Sequence, residues 1–190
     1  MLVFISGAVR SGKSTLGEEL AVCLAGGKRK IYLATSRHYD QEMTKRIELH
    51  QQKRAGRGFL TIEKSSDLGD VVSTLRKSDT VLLDCLGTLL ANEMFDRKEM
   101  PASKFIQEKL WADLLKLYES VENLIVISNE VFGDGIVYDG LTESYIRTLG
   151  KLHCKLAKAS DVALECIYAG YLCYKGNIPG CNLAKRVGEL

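Results

Sequence analysis

The chain has 190 residues, of which 46% are hydrophobic, and a formal net charge of +2. This length and apolar content suffice for one substantial core, so we expect a single domain. The scattered Lys and Arg residues and the nearly balanced charge argue against a nucleic-acid-binding or membrane-surface protein. No apolar run approaches the ~20 residues of a membrane-spanning helix.

The first 24 residues have the pattern of a strand, a glycine loop and a helix. An apolar run at residues 2–5 enters the loop GAVRSGKS at residues 7–14, and leucines then recur at helical spacing. Gly7 and Gly12 allow a tight turn in which backbone N–H groups cradle a polyphosphate. Lys13 is expected to reach the β- and γ-phosphates, and Ser14 to bind Mg²⁺. This P-loop motif, residues 7–14, predicts a nucleoside-triphosphate site.

The six cysteines resemble buried thiols rather than a disulfide framework or a zinc site, because no two form a CxxC pair. The N-terminal apolar run leads directly into the P-loop, so we expect no cleavable signal. Both features predict a cytoplasmic protein.

The next segments predict two more strands and two helices. A strand at residues 31–35 ends at Thr35 and Ser36, whose hydroxyls would lie where α/β sheets hold ligands. After a short strand at residues 59–63, Asp67 is expected to start a helix. The other helix, between these strands, is expected to be capped by Asp40 and to carry on one face Met43, Ile47, His50 and Arg54.

A further apolar strand at residues 80–84 ends in Asp84. In a P-loop protein, a carboxylate here can hold Mg²⁺ or its water ligands opposite Ser14. The alternative is that Asp84 caps the helix predicted at residues 87–94.

The remaining pattern continues the alternation of strands and helices. It predicts an amphipathic helix at residues 106–121, a strand at 124–128, a helix at 145–159 and strands at 162–167 and 171–174. Residues 132–135 fit either a ligand loop or a plain surface turn. We expect an α/β fold whose mostly parallel sheet is covered by helices on both faces. The domain is assigned to residues 1–176, and residues 177–190 form a tail.

Taken together, these motifs resemble the bifunctional adenosylcobinamide kinase / adenosylcobinamide-phosphate guanylyltransferase family of cobalamin biosynthesis. The resemblance covers residues 2–176. The matching positions are the P-loop, residues 34–36, Glu42 and Met43 with Arg46, Ile47 and His50, Thr61 with Glu63, residues 83–86, 129–131 and 135–137, and Arg147 with Gly150, Leu156 and Ala157.

The resemblance implies a RecA-like P-loop fold with a short C-terminal antiparallel strand, and a homotrimer. It implies ATP or GTP as phosphoryl donor to adenosylcobinamide, and GMP transfer from GTP to adenosylcobinamide phosphate through guanylylated His50. Lys13 and His50 are the implied catalytic residues, and Ser14 and Asp84 the Mg²⁺ ligands. The implied nucleotide contacts are Gly7, Ala8, Val9, Arg10, Ser11, Gly12, Lys13, Ser14, Ala34, Thr35, Ser36, Gln51, Gln52, Lys53, Arg54, Glu63 and Asp84.

The chain departs from the family pattern outside the phosphate site. Gly87 stands where a threonine is usual, and His153 with Cys154 stands where Asn-Gln is usual. Ala55 and Tyr138 each replace a usual proline. These changes bear on the corrinoid contacts and the guanine-side loop more than on the phosphate site.

Two other classes of protein fit parts of the pattern. An ordinary P-loop metabolite kinase needs only Lys13, Ser14, Asp84 and a substrate pocket, with His50 incidental. A non-catalytic GTP switch is suggested by the DxxG at residues 84–87, but the NKxD that reads guanine is absent from the sequence.

Overall fold

The computed structural model describes residues 1–37, 56–96, 102–133, 135–168, 170–178 and 181. The strands in these residues are β1 (Leu2–Gly7), β2 (Lys30–Ala34), β3 (Phe59–Glu63), β4 (Thr80–Asp84), β5 (Asn123–Asn129), β6 (Val162–Ile167) and β7 (Gly170–Lys175). The α-helices there are α1 (Lys13–Ala25), α2 (Leu86–Phe95), α3 (Ser103–Ser120) and α4 (Gly140–Ala159), and a 3-10 helix covers Leu68–Thr74. None of the described helices is long and apolar enough to cross a membrane.

The strands form one sheet in the order β3-β2-β4-β5-β1-β6-β7. Every neighbouring pair is parallel except β6 and β7, which are antiparallel. The order inserts β5 between β1, which leads into the P-loop, and β4, which ends in Asp84. The predicted RecA-like, mostly parallel α/β fold with a C-terminal antiparallel strand is therefore confirmed.

The central strand β5 shows why the sheet is covered on both faces. Leu124 and Val126 belong to a core cluster with the 3-10 helix, α2, α3 and α4, whereas Ile125 and Ile127 face the core under α1. All four side chains are fully buried. Successive strand residues point to opposite faces, so an uninterrupted apolar run is what two covered faces require.

The predicted helix starting at Asp67 is instead a 3-10 helix. Asp67 has a left-handed backbone with φ of 50°, and no side-chain capping hydrogen bond is made to the helix. Its own N–H donates to Oε1 of buried Glu93. Gly69 and the β-branched Val71, Val72 and Thr74 have weak helix propensity, so this segment closes only a short 3-10 helix. The predicted cap Asp40 and the face carrying His50 lie outside the described residues.

The expectation of six free thiols is wrong for two cysteines. Cys23 on α1 and Cys181 form a disulfide across a sequence separation of 158 residues. The fold brings them together, because Cys181 packs with Ile178 against the core beneath α1. Among the other cysteines, Cys85 and Cys166 are buried and Cys154 is exposed.

Candidate active site

The predicted site residues that the structure describes lie at the carboxyl-terminal edge of the sheet. Gly7, at the end of β1, is the register partner of Asn129 on β5 and of Cys166 on β6. Asp84 ends β4 and is the register partner of Ile127 on β5. Parallel strands are ~4.8 Å apart, so Asp84 lies on a strand about 10 Å from β1. The P-loop and the acid therefore face the same space beyond the strand ends.

Both P-loop glycines are required by local geometry. A Cβ on Gly7 would stand 2.5 Å from the carbonyl oxygen of Cys166 and 2.8 Å from Oγ of Ser11. Gly12 caps the N-terminus of α1 in the left-handed region, with φ of 99°. A residue with a side chain would be strained at either position, so the loop conformation depends on both glycines, as the motif predicts.

Lys13 is held inside the P-loop. Its side chain is only 7% exposed, and Nζ donates a 2.8 Å hydrogen bond to the carbonyl oxygen of Ala8. Burial lowers the pKa of Lys13, and the negative charge of Asp84 opposes that change. The ammonium is thus aimed into the loop and can exchange the Ala8 carbonyl for phosphate oxygens.

Ser11 gives an independent sign of a ligand. Its hydroxyl is buried, and within the part of the chain that the structure describes it has no hydrogen-bond partner. Its backbone carbonyl, by contrast, accepts from Sγ of Cys166 at 3.1 Å. Buried hydroxyls are rarely left unpaired in native proteins, so this atom fits a loop that is completed by a bound polyphosphate.

Asp84 is positioned by residues of β2 and the segment after it. The hydroxyl of buried Tyr32 donates a 2.6 Å hydrogen bond to Oδ2 of Asp84. The Thr35 hydroxyl donates to the carbonyl oxygen of Cys85 at 2.9 Å and accepts from its N–H at 2.8 Å. Asn92 on α2 donates to the carbonyl oxygen of Thr35. The end of β4 is therefore held by hydrogen bonds from Tyr32 to Asp84 and from Thr35 to Cys85.

Sequence reasoning missed the role of Tyr32. The residue stands in an apolar strand, where a tyrosine looks like one more core residue. The available signal was a tyrosine in a strand that ends at the site. A buried tyrosine hydroxyl needs a hydrogen-bond partner, and the site is where polar groups lie. The Tyr32 hydroxyl reaches Asp84 because β2 and β4 pair in the register that aligns Ala34 with Asp84.

The structure brings many of the predicted nucleotide contacts to this edge. The P-loop lies there with Ala34, Thr35, Ser36, Glu63 and Asp84, each at or just beyond the end of its strand. Thr35 is fully buried and its hydroxyl is bonded to Cys85, so its contact with a nucleotide stays a prediction. The other predicted residues lie outside the described residues: His50, Gln51, Gln52, Lys53 and Arg54.

The described residues on either side of that segment are anchored. Arg37 forms a 2.7 Å ion pair with Asp96, at the end of α2. Arg57 forms a 3.0 Å ion pair with Glu18 on α1. The two attachments lie on helices that cover opposite faces of the sheet.

The donor set fits a magnesium ion that is bound together with a nucleotide. Among the residues described, no three His, Cys, Asp or Glu side chains cluster as in an all-protein metal centre. Ser14 in the first turn of α1 and Asp84 at the end of β4 offer hard oxygen ligands. Mg²⁺ takes one or two such protein ligands and completes its shell with phosphate oxygens and water.

Comparison with known proteins gives consistent relatives. The family described as cobinamide kinase / cobinamide phosphate guanyltransferase matches residues 3–173. The bifunctional adenosylcobalamin biosynthesis protein CobU of Escherichia coli strain K12 is 28% identical, with 85% of this chain and 92% of that protein covered. The protein of the same name from Salmonella typhimurium strain LT2 is 27% identical with the same coverage.

A more distant likeness is found among solved structures. The flagellar accessory protein FlaH from Methanocaldococcus jannaschii superposes with a TM-score of 0.48 and 15% identity, covering 97% of this chain and 82% of that one. A likeness at this level says nothing about function. The family match, however, spans nearly the whole domain and includes the P-loop and Asp84. The chain therefore belongs to the cobinamide kinase / cobinamide phosphate guanyltransferase family and is a transferase.

Proposed function

We propose that this protein catalyses two consecutive steps of cobalamin biosynthesis. It phosphorylates the aminopropanol hydroxyl of adenosylcobinamide with ATP or GTP, and then transfers GMP from GTP to the resulting phosphate. The observation that carries the proposal is the P-loop, with Lys13 buried inside it and Asp84 on the same sheet edge, in a member of this family. One phosphate cradle serves both nucleotides.

In the kinase step the acceptor hydroxyl oxygen attacks the γ-phosphorus, and the bond from that phosphorus to the bridging oxygen breaks. The nucleoside diphosphate leaves, and the hydroxyl proton passes to solvent. Lys13 and the N–H groups of the P-loop stabilise the charge on the transferring group. Ser14 and Asp84 would hold Mg²⁺, which when bound neutralises phosphate charge.

In the guanylyl step a nitrogen of His50 attacks the α-phosphorus of GTP, and pyrophosphate leaves. An oxygen of adenosylcobinamide phosphate then attacks the same phosphorus and releases the imidazole. A neutral imidazole is a competent nucleophile near neutral pH, and the covalent intermediate divides one difficult transfer into two easier ones.

The structure supports this assignment because it argues against His153 as the nucleophile. His153 is 8% exposed, its Nε2 is 2.7 Å from Oγ of Ser128, and its ring packs edge-on against Phe4 and Phe132. Burial lowers the pKa of His153 to about 4. A histidine locked in the core cannot reach a nucleotide. His38 and His50 remain, and only His50 has the spacing from Glu42 and Arg46 that the family resemblance requires.

We also propose that the protein is a homotrimer and is located in the cytoplasm, as the family resemblance implies. Sedimentation equilibrium of the purified protein tests the oligomeric state.

Incubation with GTP labelled at the α-phosphate tests the covalent step. We expect label on the denatured protein that is lost in acid and retained in base, as a phosphorus–nitrogen bond requires. A separate incubation with ATP and adenosylcobinamide should yield the phosphorylated product. Product without protein-bound label would support the ordinary P-loop kinase, and the absence of both would refute the proposal.

A further inference from the structure

A groove lies between the end of β5 and the first turns of α4. Its volume is about 570 Å³, within the range of small-molecule sites. We call it the β5–α4 groove, and its lining residues are Glu130, Val131, Gly133, Tyr138, Thr142, Tyr145 and Ile146.

The β5–α4 groove is continuous with the phosphate site. The backbone N–H of Glu130 donates a 2.8 Å hydrogen bond to the carbonyl oxygen of Gly7, the first residue of the P-loop. The preceding residue, Asn129, is the register partner of Gly7. A ligand in the groove therefore lies directly beside a nucleotide whose phosphates occupy the P-loop. A kinase needs its acceptor in this position, because the attacking oxygen must be within reach of the phosphate.

Contacts within the protein position two walls of the groove. The hydroxyl of Tyr145 donates to the carbonyl oxygen of Gly87 at 3.2 Å, which ties α4 to the start of α2. The N–H of Phe132 donates to Oε1 of Glu130 at 2.5 Å, and the Phe132 ring packs edge-on against His153. These contacts hold the start of the segment after β5 against α4 and fix two walls of the groove.

The chemistry of the groove favours an amphipathic ligand over a second nucleotide. The N-terminus of α4 is already capped, since Oδ1 of Asp139 accepts from the N–H of Thr142 at 2.8 Å. The carboxylates of Asp139 and Glu130 also oppose the polyphosphate of a second nucleotide there. The neighbouring large apolar side chains are 42–97% exposed, a concentration that marks binding surfaces; they are Phe132, Ile136, Val137 and Leu141.

We infer that the β5–α4 groove is the acceptor subsite, where the corrinoid packs an apolar face against Tyr138 and directs its hydroxyl past Glu130 toward the P-loop. This inference rests on the proposed function. A tyrosine ring offers apolar area with a polar end, which suits a macrocycle whose rim carries amides. Glu130 can accept a hydrogen bond from the acceptor hydroxyl.

Equilibrium dialysis of cobinamide against the full chain tests the inference. The visible absorption of cobinamide measures how much of it is bound. Tyr138→Ala should raise the Kd for cobinamide about tenfold, the loss expected from one aromatic contact. Thr142→Arg, which places a long side chain in the groove, should do the same. Neither variant should change the Kd for GTP. Tyr174→Ala is the matched control, because Tyr174 is 69% exposed on β7, three strands from β5.

The outcomes separate this inference from the proposed function. Wild-type Kd values for cobinamide in both groove variants, with unchanged melting temperatures, would overturn the acceptor subsite and leave the kinase proposal standing. A wild-type protein that neither binds nor phosphorylates cobinamide would overturn both.

Discussion

The hydroxyl of Tyr32 lies 2.6 Å from Oδ2 of Asp84 and donates a hydrogen bond across the neighbouring strands β2 and β4. Tyr32 is buried and Asp84 is half-buried at the end of its strand. Groups that hydrogen-bond to a metal ligand fix its orientation and are worth a substantial part of the metal affinity. The contact identifies Tyr32 as a positioning residue for the proposed Mg²⁺ ligand.

Tyr32→Phe should raise the Mg²⁺ concentration needed for half-maximal kinase rate by about tenfold, because the ring still fills the core but the carboxylate loses its partner. Titration of Mg²⁺ into the protein with GTP by calorimetry gives a readout besides activity. Asp84→Asn, which removes the charge itself, sets the upper limit of the effect. An unchanged Mg²⁺ dependence in Tyr32→Phe would show that the hydrogen bond is only structural.

Lys13→Ala should abolish both activities, because the sequence contains one P-loop and both reactions use it. The loss of a cation aimed at developing charge costs ~10²-fold or more in rate. Lys28→Ala is the control, since that side chain is about half exposed and pairs with Glu122. Near wild-type rates for either reaction in Lys13→Ala would contradict a single shared site.

His50→Ala should eliminate guanylyl transfer and leave a measurable kinase activity. The kinase step uses Lys13, Ser14 and Asp84 without a covalent intermediate, whereas GMP transfer needs the imidazole. Product formation from ATP and adenosylcobinamide measures the kinase step, and product formation from GTP and adenosylcobinamide phosphate measures guanylyl transfer. His38→Ala is the matched control. Equal loss of both activities in His50→Ala would mean that the residue positions the nucleotide rather than acting as nucleophile.

Asp79→Ala should destabilise the fold by about 1–3 kcal/mol, because the buried hydrogen bonds to the carboxylate are lost while the Arg29 side chain, 28% exposed, stays in contact with solvent. Asp79 is fully buried, and its oxygens accept from Nε and Nη2 of Arg29 and from the N–H of Arg76. Burial alone would raise the pKa of Asp79, but these hydrogen bonds outweigh it and hold the pKa below its ordinary value.

The free energy of unfolding, from urea titration, measures the Asp79 effect. Glu122→Ala is the comparison, because Glu122 pairs with Lys28 at the surface and such pairs contribute about 1 kcal/mol or less. Similar losses in the two variants would show that the Arg29–Asp79 pair adds little to stability.

The core histidine should make the fold sensitive to mild acid. The pKa of His153 is lowered by burial from 6.5 to about 4, so its neutral form is favoured in the folded state. Between these values the unfolded state binds more protons than the folded state, so the free energy of unfolding decreases as the pH is lowered. The contribution is fully present above pH 6.5 and is lost toward pH 4, with a total of about 3 kcal/mol.

His153→Asn removes the titrating group and retains a side chain that can bond to Ser128. Urea titrations from pH 7 to pH 4 should therefore show a flatter pH dependence in this variant. An equal slope in wild type and variant would assign the acid sensitivity to other groups.

The loop geometry of the predicted phosphate site could be predicted from the sequence alone, because its residues are contiguous. Gly7, Gly12, Lys13 and Ser14 lie in one strand-loop-helix segment, and the backbone geometry required of the two glycines is local. The apolar strands predicted a parallel sheet for a similar reason, since burial on two faces leaves a continuous hydrophobic run. Asp84 was identifiable because it directly follows such a run.

The contacts that depend on strand order, register and helix placement could not be predicted from the sequence. The Tyr32–Asp84 hydrogen bond joins residues 52 positions apart, and the Cys23–Cys181 disulfide spans 158. The groove between β5 and α4 likewise combines a strand end with a later helix. A hydrophobic pattern specifies which face of an element is buried, but not which element lies beside it, because many arrangements bury the same area. The pairing of β2 with β4, rather than any local preference of Tyr32, places the phenol against the acid.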